Sequence, residues 1–380
     1  MTVFVNYYRQ ESTAVCLSGR SRPVRGGEVY TAVLARYLRS HGIDIFDVPW
    51  QKGKFLPDQL SQYLSFPYRR LAKRAGSQLV HLPSPFNPGC LALKGRTITT
   101  FHDQVNYDFY SRPTRGQRLL RQLEKLTAAR TDYVISPSQF SAERTQARFP
   151  KFKDRTHVVY PGVSDVFFET RSLKEKERVL KKLFLLPSTP FLLYVGSTNP
   201  HKNHQSVVET YSQLRSHYPQ MKLVMVGAIR ERREFSSLVK DFDKKGLYLD
   251  ANIVIPRETL SPLELSALYQ SASVFLFPSF YEGWGIVVGE ALASGTPAVI
   301  SNIPVFRECF TGGALMVNPH SIEEMIGGVG AMLTRPELRR LYAQRGRKLV
   351  AERTWDNTAK ATVDVYNNYT RVPQASGIIL

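Results

Sequence analysis

The chain has 380 residues, enough for two or three domains of about 150 residues each, and each domain is large enough to bury its own core. Its composition of 43% hydrophobic and 22% charged residues excludes a disordered, collagen-like or coiled-coil chain. The net charge of +19 is uneven: residues 1–155 carry 25 basic and 11 acidic side chains, a net +14, which predicts an anionic partner for the first half.

The cysteines and the apolar segments bear on the cellular compartment. Cys16, Cys90 and Cys309 are odd in number and lie outside any CxxC pattern, which argues against a disulfide framework and against a structural zinc site. The first ten residues lack the basic region of a signal peptide, and no segment offers about 18 uncharged apolar residues without prolines. We therefore expect a cytoplasmic protein without a transmembrane helix.

Short apolar runs alternate with amphipathic stretches along the whole chain. In the first half, strands are predicted at 3–8, 78–82, 97–103 and 132–138, and helices at 28–40 and 115–130. Residues 160–168, which contain Pro161 and Gly162, predict a crossing between domains. In the second half, strands are predicted at 191–197, 222–228, 252–256, 274–279 and 297–301. This alternation predicts an α/β fold with two parallel sheets, each covered by helices.

The densest group of candidate ligand-binding residues lies at 278–302. A helix is predicted from Ile286 to Ser294-Gly295, whose glycine suits a left-handed C-cap. The loop ahead of it combines a carboxylate, an indole and two glycines: Glu282, Gly283, Trp284 and Gly285. Because such glycines admit a ligand and a helix N-terminus offers N–H groups to an anion, we expect phosphate or sugar oxygens here. The alternative is that Glu282 and Glu290 bind no ligand and are glutamates at a helix terminus that the helix dipole stabilises.

The spacing of Glu282 and Glu290 in EGWGIVVGEALASGTPAV resembles the E-x7-E signature of retaining glycosyltransferases of family 4. Supporting segments cover most of the chain: GG at 26–27, FHD at 101–103, SPSQFSAE at 136–143, PGV at 161–163, VGSTNPHKN at 195–203 and SPLELSALYQSASVFLFPS at 261–279. The resemblance implies a GT-B fold, two Rossmann-like doubly wound parallel-sheet domains facing a cleft. It implies an acceptor domain at 1–165, a nucleotide-sugar domain at 166–361, and a final stretch at about 362–380 that packs back on the first domain.

The resemblance also implies roles for individual residues. Lys202 would bind the donor diphosphate, Glu282 the hydroxyls of the transferred sugar, and Glu290 the ribose, while His102 matches the active-site histidine of the family. The remaining donor-binding positions that it implies are Gly26, Gly27, Ser197, Ile255, Arg257, Gly283, Trp284, Gly285, Ile286 and Val287. Many relatives carry an arginine where this chain has His201 or Ser197, so the resemblance leaves open whether one cation or two hold the phosphates.

The expected activity is transfer of a hexose from a nucleotide sugar, UDP-linked rather than GDP-linked, to a glycan or polyprenyl-linked acceptor in cell-envelope or exopolysaccharide synthesis. No metal or other cofactor is expected, because Lys202 and a helix N-terminus supply positive charge. A GT-B-fold nucleotide-sugar epimerase and a non-catalytic basic binding module are the alternatives. A nicotinamide enzyme is disfavoured because Glu282 interrupts the glycine loop. Asp241 and Asp243 imitate a DxD metal site but lie in a charged helical stretch.

Basic residues are concentrated in two segments of the first half. Residues 111–130 hold six basic side chains, with four leucines predicted on one helical side: Leu119, Leu120, Leu123 and Leu126. Residues 66–74 add four more cations. A basic amphipathic helix can bind an anionic membrane surface, whereas an ordinary surface helix that buries its leucines is the alternative. Nucleic-acid binding is disfavoured because no RNP, helix-turn-helix or zinc pattern accompanies the charge.

Overall fold

The computed structural model describes residues 2–5, 26–45, 79–86, 96–227 and 232–370, and the structural statements that follow concern these residues. They form two compact units. The first contains the described residues up to Gly162 together with 355–370, and the second contains residues 163–354. Each unit is built on a parallel sheet with helices, so the predicted α/β class with two parallel-sheet domains is confirmed. The basic segment at 66–74 lies outside the described residues.

The described sheet of the first unit has six strands in the order β2-β1-β3-β4-β5-β6, and all neighbours are parallel. The strands are β1 Thr2–Val5, β2 Asp44–Ile45, β3 Leu79–Leu82, β4 Thr97–Thr100, β5 Tyr133–Ser136 and β6 Thr156–Val158. Its helices are α1 Gly26–Ser40, α2 Val105–Asp108, α3 Arg115–Arg130, α4 Gln139–Arg148 and a helix called here the return helix, Trp355–Thr370. The sequence pattern did not predict β2 and β6, because strands this short at a sheet edge have too few residues to show periodicity.

The return helix completes the core of the first unit. Its side chains Trp355 and Tyr366 are buried together with Tyr30 and Leu34 of α1. The sequence resemblance implies that the chain returns to the first unit at about residue 362, whereas in the structure it returns at Trp355. The difference arises because the helix begins there, and its first side chain already lies in the core.

A buried polar contact joins the return helix to the sheet. His81 of β3 is fully buried, and its Nδ1 lies 2.6 Å from the hydroxyl of Tyr366. Its Nε2 lies 2.8 Å from Oγ1 of Thr100. Burial lowers the pKa of His81 to about 3, so the imidazole is neutral and links the helix to β4 by hydrogen bonds alone.

The described sheet of the second unit has six parallel strands in the order β12-β11-β10-β7-β8-β9. The strands are β7 Phe191–Val195, β8 Lys222–Val226, β9 Ile253–Val254, β10 Val274–Phe277, β11 Ala298–Ser301 and β12 Leu315–Val317. The helices are α5 Leu173–Lys182, α6 His204–Leu214, α7 Arg232–Asp243, α8 Pro262–Ser271, α9 Ile286–Ala293, α10 Pro304–Phe310, α11 Ile322–Thr334 and α12 Pro336–Val350. Because β7 and β10 are adjacent central strands, the loops that follow them lie side by side at the carboxyl edge of the sheet.

Helix α3 buries Leu123 but exposes two of the other leucines on that side. It begins at Arg115 because Thr114 and Gln117 form a capping box. Its buried residues are Leu123, Glu124, Thr127 and Ala128, whereas Leu119 and Leu126 are 44% and 45% exposed. Of the two readings that the sequence leaves open, burial of the four leucines does not hold for Leu119 and Leu126. The buried face of α3 includes Glu124, and this side chain accepts a hydrogen bond from Nε2 of Gln104 at 2.9 Å.

Among the described residues, no helix is both long enough and apolar enough to cross a membrane. In α7 the buried side chains Leu238 and Phe242 face inward, and Asp243 beside them is exposed.

Candidate functional site

The loops after β7 and β10 bring Lys202 and Glu282 into contact. Pro200–Lys202 forms one 3-10 turn, and Nζ of Lys202 donates a hydrogen bond to Oε1 of Glu282 at 2.6 Å. The two side chains are 22% and 9% exposed. Such a charge-assisted bond is strong because the surrounding protein screens it less than water does. Two residues that are 80 positions apart in the sequence thus form one charged centre at the carboxyl edge of the sheet.

Backbone contacts hold these two loops together beside the ion pair. The carbonyl oxygen of His201 accepts hydrogen bonds from the N–H of Phe280 at 2.8 Å and from the hydroxyl of Ser279 at 2.9 Å. The side-chain amide of Asn203 donates to the carbonyl of Pro278 at 3.0 Å. The turn that carries Lys202 is therefore anchored on the segment that leads to Glu282.

Ser197 and His201 are the two positions at which the sequence resemblance leads us to look for an arginine. Both are buried, at 9% exposure. The carbonyl of Ser197 accepts a hydrogen bond from the hydroxyl of Tyr194 at 2.8 Å, which fixes the end of β7. Gly196 is required beside it, because a Cβ there would lie 2.8 Å from the Tyr194 hydroxyl oxygen. Lys202 is more exposed than either, so its ammonium is the charged group of this segment that an anion can approach.

Helix α9 begins directly after the glycine loop. Gly285 precedes it with a φ of 105°, a left-handed conformation that favours glycine, and a Cβ there would lie 2.7 Å from Phe306. The first-turn N–H groups, including those of Ile286 and Val287, belong to the class that an α-helix leaves without an intrahelical acceptor. The loop therefore offers backbone donors to an anion at the edge where Lys202 lies.

Glu290 lies one turn into α9 and is held by a tyrosine. The hydroxyl of Tyr269 lies 3.3 Å from Oε2 of Glu290 and 3.2 Å from the carbonyl of Val287. Burial raises the pKa of Glu290 to about 8, and the bond from Tyr269 opposes that rise. The carboxyl group is accordingly protonated at neutral pH in the unliganded protein, and it can donate a hydrogen bond as well as accept one.

Trp284 is turned into the protein. It is 3% exposed, its ring lies against Phe310 at 5.3 Å between centroids, and a Cβ on Gly289 would lie 2.7 Å from it. Its indole N–H is buried and has no acceptor within the described part of the chain. The side chain therefore packs α9 against α10, while Gly283 beside it contributes backbone groups to the loop.

Ile255 and Arg257 follow β9 at the same edge of the sheet. Ile255 is buried, and the side chain of Arg257 is 78% exposed and pairs with Asp250 at 3.2 Å. No contact among the described residues joins either of them to Lys202 or Glu282. The backbone contacts to a base that the sequence resemblance implies for them stay a prediction, and their side chains do not reach the charged centre.

The other predicted site residues belong to the first unit. Gly26 and Gly27, which the sequence predicts in a loop ahead of α1, are the first two residues of that helix. His102 follows β4, and its Nε2 lies 2.8 Å from the carbonyl of Pro83, which can only accept. Nε2 therefore carries the hydrogen and Nδ1 the lone pair. Burial lowers the pKa of His102 to about 4, so this histidine is a neutral hydrogen-bond acceptor at neutral pH.

The ring of His102 is held in place by its surroundings. Its edge packs against the ring of Tyr30 with 4.8 Å between centroids and an angle of 83°. Asp103 beside it accepts a hydrogen bond from the N–H of Val105 at 3.0 Å and so helps to begin α2. Asp103 thus stabilises the start of α2 beside the neutral imidazole of His102.

Two residues near the charged centre were not singled out from the sequence. Asn203 could have been found from its place between Lys202 and a helical pattern, since asparagine tolerates the left-handed conformation that such a boundary can require. Tyr269 lies on α8, where its spacing from other apolar residues indicates only a buried side chain. Its contact with Glu290 depends on how α8 packs, which no local pattern encodes.

Within the described ranges, no group of three or more His, Cys, Asp or Glu side chains is arranged to hold a metal ion. Asp241 and Asp243 lie on α7, where Asp241 approaches Lys244 at 3.8 Å.

Two family descriptions match the chain. Residues 24–166 match Glycosyltransferase Family 4, and residues 175–349 match Glycosyl transferases group 1. O-antigen chain mannosyltransferase B of Escherichia coli is 27% identical over 281 residues, which cover 71% of this chain and 70% of that protein. O-antigen chain mannosyltransferase RfbU of Salmonella typhimurium is 29% identical over 227 residues, which cover 60% of this chain and 58% of that protein. The chain therefore spans less than two thirds of the second relative.

Solved structures of similar shape cover almost the whole chain. Sucrose-phosphate synthase from Thermosynechococcus elongatus superposes with a TM-score of 0.76 at 19% identity, covering 97% of this chain and 99% of that one. The Anabaena protein HepE, in complex with UDP and glucose, superposes with a TM-score of 0.74 at 16% identity, covering 97% and 100%. Likenesses at this identity concern the fold alone, and they confirm the GT-B fold expected from the sequence.

Proposed function

Because this chain belongs to the glycosyltransferases of family 4 and group 1, we propose that it transfers a hexose from a nucleotide sugar to a glycan or lipid-linked acceptor with retention at the anomeric carbon. The observation that carries the proposal is the Lys202–Glu282 pair at the carboxyl edge of the second sheet, beside the N-terminus of α9. An ammonium, a carboxylate and unpaired backbone N–H groups together suit a ligand that is both anionic and rich in hydroxyls.

Each group would have a distinct task in the reaction. As the bond to the leaving nucleoside diphosphate breaks, negative charge grows on the diphosphate, and the Lys202 ammonium and the first-turn N–H groups of α9 would stabilise it. Glu282 would bind sugar hydroxyls close to the positive charge that develops on the ring. In the unliganded protein Lys202 and Glu282 form an ion pair with each other. Binding of the donor would break this pair, and the diphosphate would then contact Lys202 while the sugar would contact Glu282.

Glu290, Ile255 and Arg257 would hold the nucleoside. A protonated Glu290 can donate to a ribose hydroxyl, and the backbone after β9 can recognise the base. The Anabaena protein HepE was solved with UDP and with UDP-glucose, which supports a UDP-linked donor for a chain of the same fold. No metal or other cofactor is assigned a role, because Lys202 supplies the positive charge.

His102 would act on the sugar as a neutral acceptor. With its hydrogen on Nε2 bound to Pro83, the Nδ1 lone pair can receive a hydrogen bond from a hydroxyl group. A histidine whose pKa lies near 4 does not supply a proton at neutral pH, so we assign it to orienting a substrate. Gly26 and Gly27 would contribute backbone groups at the start of α1.

The acceptor is proposed to lie at an anionic membrane surface on the cytoplasmic side. Helix α3 exposes Leu119 and Leu126 together with the cations Arg115, Arg118 and Lys125. Apolar side chains surrounded by cations favour the interface of an anionic bilayer. Arg121 does not belong to this surface, because its guanidinium donates to the carbonyls of Asn106 and Tyr110. The two relatives named as O-antigen mannosyltransferases support an acceptor in a cell-envelope glycan.

Lys202→Met and Glu282→Gln test the proposal. Each is expected to lower sugar transfer about 100-fold, the scale of one lost transition-state contact. Lys202→Met should also weaken binding of UDP. Glu282→Gln should strengthen it, because UDP carries no sugar and would no longer compete with a carboxylate for Lys202. The control is Lys182→Met, which removes another lysine bonded to a glutamate of the same unit, Glu264, at 2.9 Å.

Transfer would be followed with UDP- and GDP-linked hexoses and a lipid-linked glycan, and the anomeric configuration of the product would be read by NMR. Wild-type transfer rates in Lys202→Met would contradict the assigned site. An inverted product would contradict retention, and an epimerised donor without transfer would favour an epimerase.

A further inference from the structure

The residue that follows Lys202 is unusually well anchored. We propose that Asn203 is a positioning residue for sugar transfer, which holds Lys202 at its distance from Glu282; this inference rests on the role proposed for Lys202. Asn203 is 7% exposed and stands at the N-terminal boundary of α6. Asparagine at such a boundary commonly caps the helix with its side chain, yet here no such cap bond is present. Its amide is used elsewhere.

Every polar group of the Asn203 side chain has a partner. Nδ2 donates to the carbonyl of Pro278 at 3.0 Å and to the carbonyl of Pro319 at 2.8 Å. Oδ1 accepts from the hydroxyl of Ser206 at 2.7 Å. Pro278 directly follows β10, and Pro319 lies two residues beyond β12. One buried side chain thereby ties the turn after β7 to the ends of two other strands.

The backbone of Asn203 contributes a second constraint. Its φ of 53° and ψ of 37° are left-handed, a conformation that asparagine and glycine adopt far more readily than other residues. This conformation ends the Pro200–Lys202 turn and starts α6 in a new direction. The sequence position therefore needs both a left-handed backbone and a side chain with two N–H donors, which asparagine alone combines without strain.

Lys202 stands between two anchored neighbours. On one side the carbonyl of His201 is bound by Ser279 and Phe280, and on the other the amide of Asn203 is bound to Pro278. All three partners lie in the segment that runs into Glu282. The short contact between Lys202 and Glu282 is thus a consequence of how the turn is fixed, because a long lysine side chain attached to a loose turn would sample many positions.

Helix α6 contacts the Asn203 side chain in its first turn, through the hydroxyl of Ser206. Its buried side chains lie further along, and they include Val207, Val208, Tyr211 and Leu214. Removal of the Asn203 amide should therefore leave the helix in place while loosening the turn. Misplacing a catalytic group by about 1 Å can lower the rate about 100-fold, so even a small shift of Lys202 should be visible in kinetics.

Two substitutions separate the side chain from the backbone. Asn203→Gly keeps the left-handed conformation and removes the amide, whereas Asn203→Asp keeps the shape and places an acceptor opposite two carbonyls. We expect each to lower kcat/KM for the donor sugar by about tenfold or more, with a folded protein by circular dichroism. The matched control is Tyr211→Phe, at the other end of α6, which removes a hydroxyl bonded to the carbonyls of Met221 at 2.9 Å and Asn252 at 3.0 Å.

The decisive measurement combines Asn203→Gly with Lys202→Met. If Asn203 acts through Lys202, adding Asn203→Gly to Lys202→Met should change kcat/KM by less than about threefold, although it loses tenfold in the wild-type background. A further tenfold loss in the double variant, wild-type kinetics in Asn203→Gly, or an equal loss in Tyr211→Phe would overturn the inference. Wild-type transfer by Lys202→Met would instead overturn the role of Lys202 on which the inference rests, and the two failures are thereby distinguished.

Discussion

Methionine in place of Lys202 and glutamine in place of Glu282 remove the two charges of the central ion pair while keeping the side-chain lengths. The two substitutions, singly and together, form a double-mutant cycle for stability in the absence of ligand. Lys202→Met leaves a carboxylate that is 9% exposed without a countercharge, whereas Glu282→Gln leaves an ammonium that is 22% exposed and can reach water. The lysine substitution should therefore be the more destabilising of the two.

The magnitude follows from the geometry. At 2.6 Å and an effective dielectric constant of about 20, two unit charges attract by about 6 kcal/mol before the loss of hydration is subtracted. Hydrogen bonds to charged groups retain a net of about 1.5–3 kcal/mol after that subtraction. We therefore expect a coupling energy of about 2 kcal/mol, and a cost of about 3 kcal/mol for Lys202→Met alone, because it strands a nearly buried charge.

The assay is urea unfolding of the four proteins, with the free energy of unfolding extrapolated to water. The comparison cycle is Lys182→Met with Glu264→Gln, a pair whose side chains are 36% and 26% exposed. That cycle should give a coupling energy of about 0.2–1 kcal/mol, as exposed pairs do. A coupling energy for Lys202–Glu282 no larger than that of the comparison pair would refute the reasoning that burial strengthens this contact.

Further expectations concern pH, membranes and metals. The pKa of Glu124 is raised to about 8 by burial, so this carboxyl group binds more protons in the folded than in the unfolded state between pH 4.5 and 8, and its own contribution to stability should fall as the pH rises through this window. Glu124→Gln should flatten that fall in urea unfolding, and parallel wild-type and variant curves would contradict the assignment. The protein should sediment with anionic vesicles at low salt. Substitution of three exposed cations of α3 by glutamate, at Arg115, Arg118 and Lys125, should abolish this sedimentation. The same substitution on α5, at Lys174, Arg178 and Lys181, should leave it unchanged. Sugar transfer should continue in excess chelator, and a loss that added metal reverses would show that a cation is required.

The elements with complete local signals were predicted well. The sequence predicts a helix at 115–130, and α3 has these bounds because Thr114 and Gln117 cap it. The predicted helix from Ile286 ends as expected, with Gly295 at a φ of 72°. In both cases the residues that determine the boundary are adjacent in sequence to the helix they delimit, so the pattern contains the necessary information.

Features that depend on tertiary contacts were not predicted. The burial of Glu124, which accepts a hydrogen bond from Gln104, is one such feature, because spacing alone cannot show that a carboxyl group lies in the core. The role of Asn203 depends on carbonyls that lie 75 and 116 positions away. The pairing of Lys202 with Glu282 was not anticipated either, although the resemblance assigned both residues to one ligand.

The return helix has a consequence for the order in which the protein is made. Synthesis proceeds from the amino end, so the described strands of the first unit emerge long before Trp355 and Tyr366, which their core requires. The described residues of the second unit, 163–227 and 232–354, also precede the return helix in sequence and are available earlier. Until the return helix arrives, the nascent first unit must leave His81 and the surface under Tyr366 accessible to water or to a chaperone. The described core of the first unit is therefore completed only after the described residues of the second unit have been made.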